Sequence, residues 1–152
     1  MSKQKIIISQ IVIFLIGAIG YPCIELLYRA GNTHWTMALV GGIALMAILD
    51  CNYILKEKNI LLRVFTATTF VVLIELVAGL FINKIFKMKV WDYSNCDFNL
   101  CGQICLKFSV YWFLLCFAII LLFEGIMFLK RHLKIKKINS TFIKRLEVKN
   151  KV

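Results

Sequence analysis

The sequence has no Walker A phosphate loop, no His-Glu-x-x-His and no Gly-x-Ser-x-Gly, and each absence removes a class of chemistry. Without the first there is no cradle for a nucleoside triphosphate, so ATPase activity in this chain is excluded. Without the other two, the zinc-protease and serine-hydrolase arrangements are missing. An intramembrane enzyme would need acids or a thiol paired across helices around a lipid-accessible cleft, and the chain is read as a non-enzyme. Histidine is almost lacking: His34 and His132 lie far apart. The Cys96-x4-Cys101-x3-Cys105 series does not match a zinc spacing, so no metal and no cofactor is expected. Acids are scarce too, eight against nineteen lysines and arginines, for a net charge of +11.

What the chain has in excess is apolar surface. Its 152 residues are 61% apolar with a mean hydropathy of +0.80, above the roughly 45–50% of soluble domains. Four runs reach the ~20 residues that cross a bilayer: residues 6–28, 35–55, 60–82 and 104–129. They leave no room for a soluble domain. Backbone groups in lipid must be satisfied within a segment, and no run alternates as a membrane barrel strand does. The expected fold is all-α, a polytopic four-helix transmembrane bundle (residues 1–129) with a loop at 83–103 and a basic tail at 130–152.

Cytoplasmic loops carry the excess of lysine and arginine. With both termini inside, fourteen of the nineteen basic residues face the cytoplasm and five (Arg29, Lys84, Lys87, Lys89, Lys107) face out. The expected location is therefore the cell membrane, with loop 83–103 outside. In the first outer turn Gly31 is a natural helix C-cap and Thr33 an N-cap for the second helix. Gly41–Gly42 in that helix allow close approach of a neighbour.

Intramembrane acids are expensive and mark candidate sites. Glu75 shares a helical face with Thr68, Gly79 and Asn83. Glu25 lies four residues before Arg29, which suits an intrahelical ion pair; alternatively it pairs with Glu75 across the bundle as a protonatable dyad. Ile24-Glu25-Leu26 recurs as Ile74-Glu75-Leu76, consistent with two hairpins related as parallel repeats. Asp50 and Glu124 fall near the inner interface, where Lys56, Arg63, Lys130 and Arg131 are expected to neutralise them.

Loop 83–103 is unusually polar for so apolar a chain. Trp91 and Tyr93 are expected at the headgroup level, Asn99 as a cap for the fourth helix, and Gly102 at a close approach. Of the six cysteines, four lie in apolar stretches, leaving Cys96 and Cys101 as bridge partners or as free thiols. The tail, with Ile135, Ile138, Phe142 and Leu146 at helical spacing, reads either as an amphipathic helix on an anionic inner leaflet or as a solvated basic segment. It lacks any nucleic-acid recognition module.

Two segments carry a resemblance. They are Tyr21–Gly42, with Ile24-Glu25-Leu26-Leu27-Tyr28-Arg29, Thr33-His34-Trp35-Thr36-Met37 and Gly41-Gly42, and the run Trp91-Asp92-Tyr93-Ser94-Asn95, Asn99-Leu100, Gly102-Gln103-Ile104. Through them the chain resembles the bacterial ABC-transporter type IV membrane proteins, often labelled permeases. It departs from longer members at Thr36–Gly42, where those carry a proline-containing segment, and at Cys96 and Cys101. With Glu75 and Glu25 in the membrane under an outer loop that would cap a cavity, the chain is expected to be a small permease-like or transport-associated subunit in the lipid bilayer, and since four helices enclose little more than their own side chains, a homo-oligomer or a partner of other membrane subunits. The alternative is a non-transporting scaffold that binds partners through the outer loop and the basic tail.

Overall fold

The computed structural model describes the backbone of residues 3–28 and 30–149 and the side chains of residues 4–28 and 30–135. Four helices carry the chain: α1 (Lys3–Tyr28), α2 (Trp35–Ile54), α3 (Ile60–Gly79) and α4 (Leu106–Lys149). All four are long and apolar enough to cross a membrane, so the chain is an all-α multi-pass membrane protein. The fourth helix runs on past the apolar stretch into the basic tail. Ile138, Phe142 and Leu146, on which the amphipathic reading of the tail depends, lie outside the described side chains. The chain divides into two units, Met1–Phe117 and Ala118–Val152; the first contains α1, α2, α3, the long loop and the start of α4.

The outer faces of the helices are apolar. Leu27, Ile54 and Phe65 are 87%, 75% and 67% exposed, an arrangement that water would penalise and lipid accommodates. The core of the first unit is made of smaller or tightly held side chains: Ile48 on α2, Val64, Ala67 and Val71 on α3, and Trp112 and Cys116 on α4.

Glycines set the α1–α2 contact. A Cβ on Gly41 would collide with Tyr21 and the Gly17 carbonyl, and one on Gly42 would lie 2.6 Å from the Phe14 ring. The two backbones therefore cross at a distance only glycine permits. The connecting turn ends α1 at Gly31 (φ +97°), whose N–H donates to the Leu26 carbonyl at 2.8 Å, as a left-handed C-terminal glycine should. The cap of α2 is not Thr33 but His34, whose Nδ1 accepts the Thr36 N–H at 3.4 Å. Thr33 is diverted because its hydroxyl donates to Glu25 at 2.6 Å.

At the opposite end the α2–α3 turn is closed by Asn59. Its Oδ1 accepts the Leu62 N–H at 2.8 Å, a cap that contributes about 1 kcal/mol. Asp50 takes its hydrogen bond from Gln10 on α1, at 3.1 Å, in place of the expected lysine or arginine. The amide competes successfully because Asp50 and Gln10 face each other across the α1–α2 contact. Arg63, in the first turn of α3, is buried. Glu124 lies half-buried in the second unit.

Beyond Gly79 the α3 backbone widens into a π-helical segment, Leu80–Ile85, ending where the Phe86 N–H reaches the Phe81 carbonyl at 2.9 Å. The following loop contains a two-stranded antiparallel hairpin, β1 (Asn99–Leu100) and β2 (Ile104–Cys105), with Asn99 opposite Cys105 and Leu100 opposite Ile104.

Candidate functional site

One stripe on the third helix organises the loop end of the molecule. Glu75, Gly79 and Asn83 are spaced four residues apart, and each receives a different part of the loop. A strict α-helix would let such a stripe drift round the axis. The π segment turns less per residue and keeps Asn83 in line.

Glu75 is 3% exposed. Its Oε1 accepts the Tyr93 hydroxyl at 3.2 Å and its Oε2 the Trp112 Nε1–H at 2.9 Å. A buried carboxylate needs such donors to replace lost water. Both are neutral, and no lysine or arginine among the described side chains pairs with it. The donors are themselves fixed by aromatic stacking: Trp112 on Tyr21 of α1 (centroids 5.1 Å apart) and Tyr93 on Phe108 of α4 (4.4 Å). Phe108 also meets the edges of Tyr28 and Tyr111. Three helices and the loop thus converge on one carboxylate.

Gly79 is the seat of the loop. A Cβ there would lie 2.6 Å from Gln103 Oε1, 2.9 Å from Gln103 Cβ and 3.1 Å from the Trp91 ring. Gln103, only 1% exposed, accepts from Asn83 Nδ2 at 2.8 Å and donates through Nε2 to the Cys101 carbonyl at 3.1 Å. Asn83 Oδ1 in turn accepts the Val90 N–H at 2.7 Å. Trp91 is buried and donates Nε1–H to the Gln103 carbonyl at 3.0 Å. A protein acceptor thus satisfies the buried indole.

The remaining loop residues hold its shape. Asp92 Oδ1 accepts the Ser94 N–H at 2.9 Å and the Ser94 hydroxyl at 2.5 Å, an Asx turn. Asn99 does not cap the fourth helix. Its Nδ2 donates to the Cys96 and Ser94 carbonyls at 2.9 and 3.2 Å, and its Oδ1 accepts the Gly102 N–H at 3.1 Å. Gly102 has φ +68° and no room for a side chain beside Asp92 and Ser94, as its expected close approach requires. Asn95 is exposed in the turn. Cys96 is half-buried, Cys101 exposed and Cys105 buried, and all six cysteines are free thiols here.

Glu25 is buried and held by Thr33. Each glutamate of the repeated Ile-Glu-Leu triplet therefore accepts a hydroxyl from the loop that follows its own helix. Glu75 takes its bonds from Tyr93 and Trp112, and Glu25 is not among its partners. Arg29, the other proposed partner of Glu25, lies outside the described residues. Trp112, Tyr21 and Phe108 were missed from sequence. The available signal was an indole N–H in an apolar helix, which must find an acceptor, with an acid in α3 to provide one.

Asp92 supplies a pH expectation. The Ser94 hydroxyl and N–H, with a weaker contribution from Lys84, hold its carboxyl below the usual carboxylate range. A lowered folded value means the charged form stabilises the loop; this contribution is complete above the unfolded value of about 3.9 and is lost as pH falls through the folded one. Protection of the Ser94 and Tyr93 amides against hydrogen exchange should be flat from neutral pH to about 4 and decline below it. Asp92→Asn should remove that acid limb; a decline of equal size in the variant would assign it to another group.

No solved structure matches the chain. The family model described as "Putative ABC-transporter type IV" matches residues 11–146, a span that contains the Glu75 stripe, its aromatic donors and the whole loop, and the chain belongs to that family.

Proposed function

We propose that this protein is a permease-like or transport-associated subunit of the cell membrane, with both termini cytoplasmic and no ATPase of its own. It would work as a homo-oligomer or beside other membrane subunits. The observation that carries the reading is Glu75: an acid buried in a membrane helix, bonded among the described side chains to neutral donors, beneath a loop that closes over it. Intramembrane ionisable groups of this kind mark ion and substrate paths. A carboxylate held by neutral donors is suited to take up a proton or a substrate cation when the loop releases Tyr93. The basic tail adds attraction to anionic lipids of the inner leaflet.

The test is flux in proteoliposomes across a panel of cations and small metabolites, comparing wild type with Glu75→Gln. Glutamine keeps the shape and an acceptor for Trp112 but cannot carry the charge. Flux should fall at least about tenfold, a change of ~1.4 kcal/mol in the coupled step. Unchanged flux in the variant, or none from wild type, would remove the transport reading. A second reading, a scaffold that docks partners through the loop, draws on the exposed apolar tip at Phe98 (84%) and Leu100 (52%). It predicts stoichiometric co-purification with another membrane protein that is lost on tip substitution and kept in Glu75→Gln.

A further inference from the structure

Sequence spacing singles out Cys96 and Cys101 as the pair able to bridge, but the folded loop brings a different pair together. Asn99 is opposite Cys105 in the hairpin, and the Asn99 amide reaches back to the Cys96 carbonyl at 2.9 Å. Cross-strand partners share a face, so the Cys96 turn lies on the same face of the hairpin as Cys105, at the start of α4. The Cys96 N–H is fixed to the Tyr93 carbonyl at 2.8 Å, and Cys105 is 2% exposed with its carbonyl accepting the Ser109 hydroxyl at 2.9 Å. Both cysteines are therefore held by the surrounding backbone. Cys101 lies at the hairpin tip with φ +54°, exposed.

We infer that Cys96 and Cys105 form a disulfide that locks the loop onto the start of α4, and with it the Tyr93 hydroxyl over Glu75. The inference rests on the outward orientation of the loop and is independent of whether the protein transports. An oxidising exterior is where such bonds persist. The oxidant is an extracytoplasmic thiol oxidoreductase in its disulfide form. The thiolate of Cys96, the more accessible of the two, attacks that disulfide and releases one oxidant thiol. The Cys105 thiolate then displaces the second, so two electrons and two protons pass from the protein thiols to the oxidant. Partial burial, with Cys105 and Asp97 nearby, holds the Cys96 thiol above its ordinary value, and Lys107 acts in the opposite direction. A thiol of this kind is slow to oxidise unaided, which is why an enzyme is specified.

The experiment uses full-length protein in intact cells. A membrane-impermeant maleimide is applied first, the protein is then denatured and its free thiols are tagged with a second maleimide. After reduction a third tag is added and peptides are mapped. Cys101 should take the first tag, reporting an outward loop. Cys96 and Cys105 should take only the third, and the unreduced digest should contain their cross-linked peptide. In Cys96→Ser, Cys105 should move to the second tag. Second-tag labelling of both cysteines in wild type, or a Cys96–Cys101 cross-link, overturns the inference. Failure of Cys101 to take the first tag also overturns it, through the orientation, and leaves the flux test untouched.

Discussion

Replacing Glu75 by leucine should release the loop from the helices. Leucine fills similar space but accepts nothing, so the buried Trp112 indole N–H loses its acceptor and the Tyr93 hydroxyl loses its bond to the carboxylate. The orphaned indole costs about 1–3 kcal/mol and the lost tyrosine bond about 1 kcal/mol. The Tyr93–Phe108 and Trp112–Tyr21 stacks lose the anchor that orients them. Limited proteolysis in detergent should cut within residues 86–98 of Glu75→Leu far faster than in wild type, while Glu75→Gln stays near wild type. The contrast separates the two roles of the residue. If glutamine restores resistance but not flux, the charge serves function and the acceptor geometry serves the fold. Equal protease resistance in wild type and Glu75→Leu would show that the carboxylate does not hold the loop.

The second large effect is expected at Gly79. Leucine there would drive its Cβ into Gln103 and the Trp91 ring, neither of which can give way: Gln103 is bonded to Asn83 and Cys101, and Trp91 to the Gln103 carbonyl. Overpacking alone costs about 1–3 kcal/mol. Undocking adds the loss of the Asn83–Gln103 and Asn83–Val90 bonds, each about 1 kcal/mol. The loop is also poorly able to keep its form alone. Lys87, Lys89, Phe98 and Cys101 all have positive φ, at about 1–2 kcal/mol each for residues with a side chain. Once the Gly79 seat is filled, those residues should relax to ordinary conformations and the loop should unfold as a unit. Amide exchange of Val90 and Gln103 should approach that of an unstructured peptide, while the α1–α2 hairpin remains protected. Protection at both amides equal to wild type would mean that the loop is held by its own bonds and not by α3.

Much of this was readable from residues alone, for a definite reason. Four apolar runs and an uneven lysine and arginine count fix a polytopic helical fold, because a bilayer accepts few other ways of satisfying a backbone. The Glu75–Gly79–Asn83 stripe followed from helical spacing, and the close α1–α2 contact from Gly41–Gly42. The loop's turn and hydrogen-bonding residues were also recognisable as a group.

What spacing could not supply was the partner of each group, since partners come from other elements. Sequence neighbours suggested Arg29 for Glu25, a basic side chain for Asp50 and Cys101 for Cys96. In the fold Thr33 donates to Glu25 across a turn and Gln10 to Asp50 across a helix contact, and the Cys96 turn comes to the hairpin face that carries Cys105. Nothing local to Trp91 could show that the Gln103 carbonyl would reach its indole. The loop 86–105 therefore changes meaning between the two levels. Its composition marks it as special, and only the tertiary structure shows it seated on a glycine, with its tyrosine on a buried acid. A sequence states which donors and acceptors must be satisfied, and the packing of helices decides which of them meet.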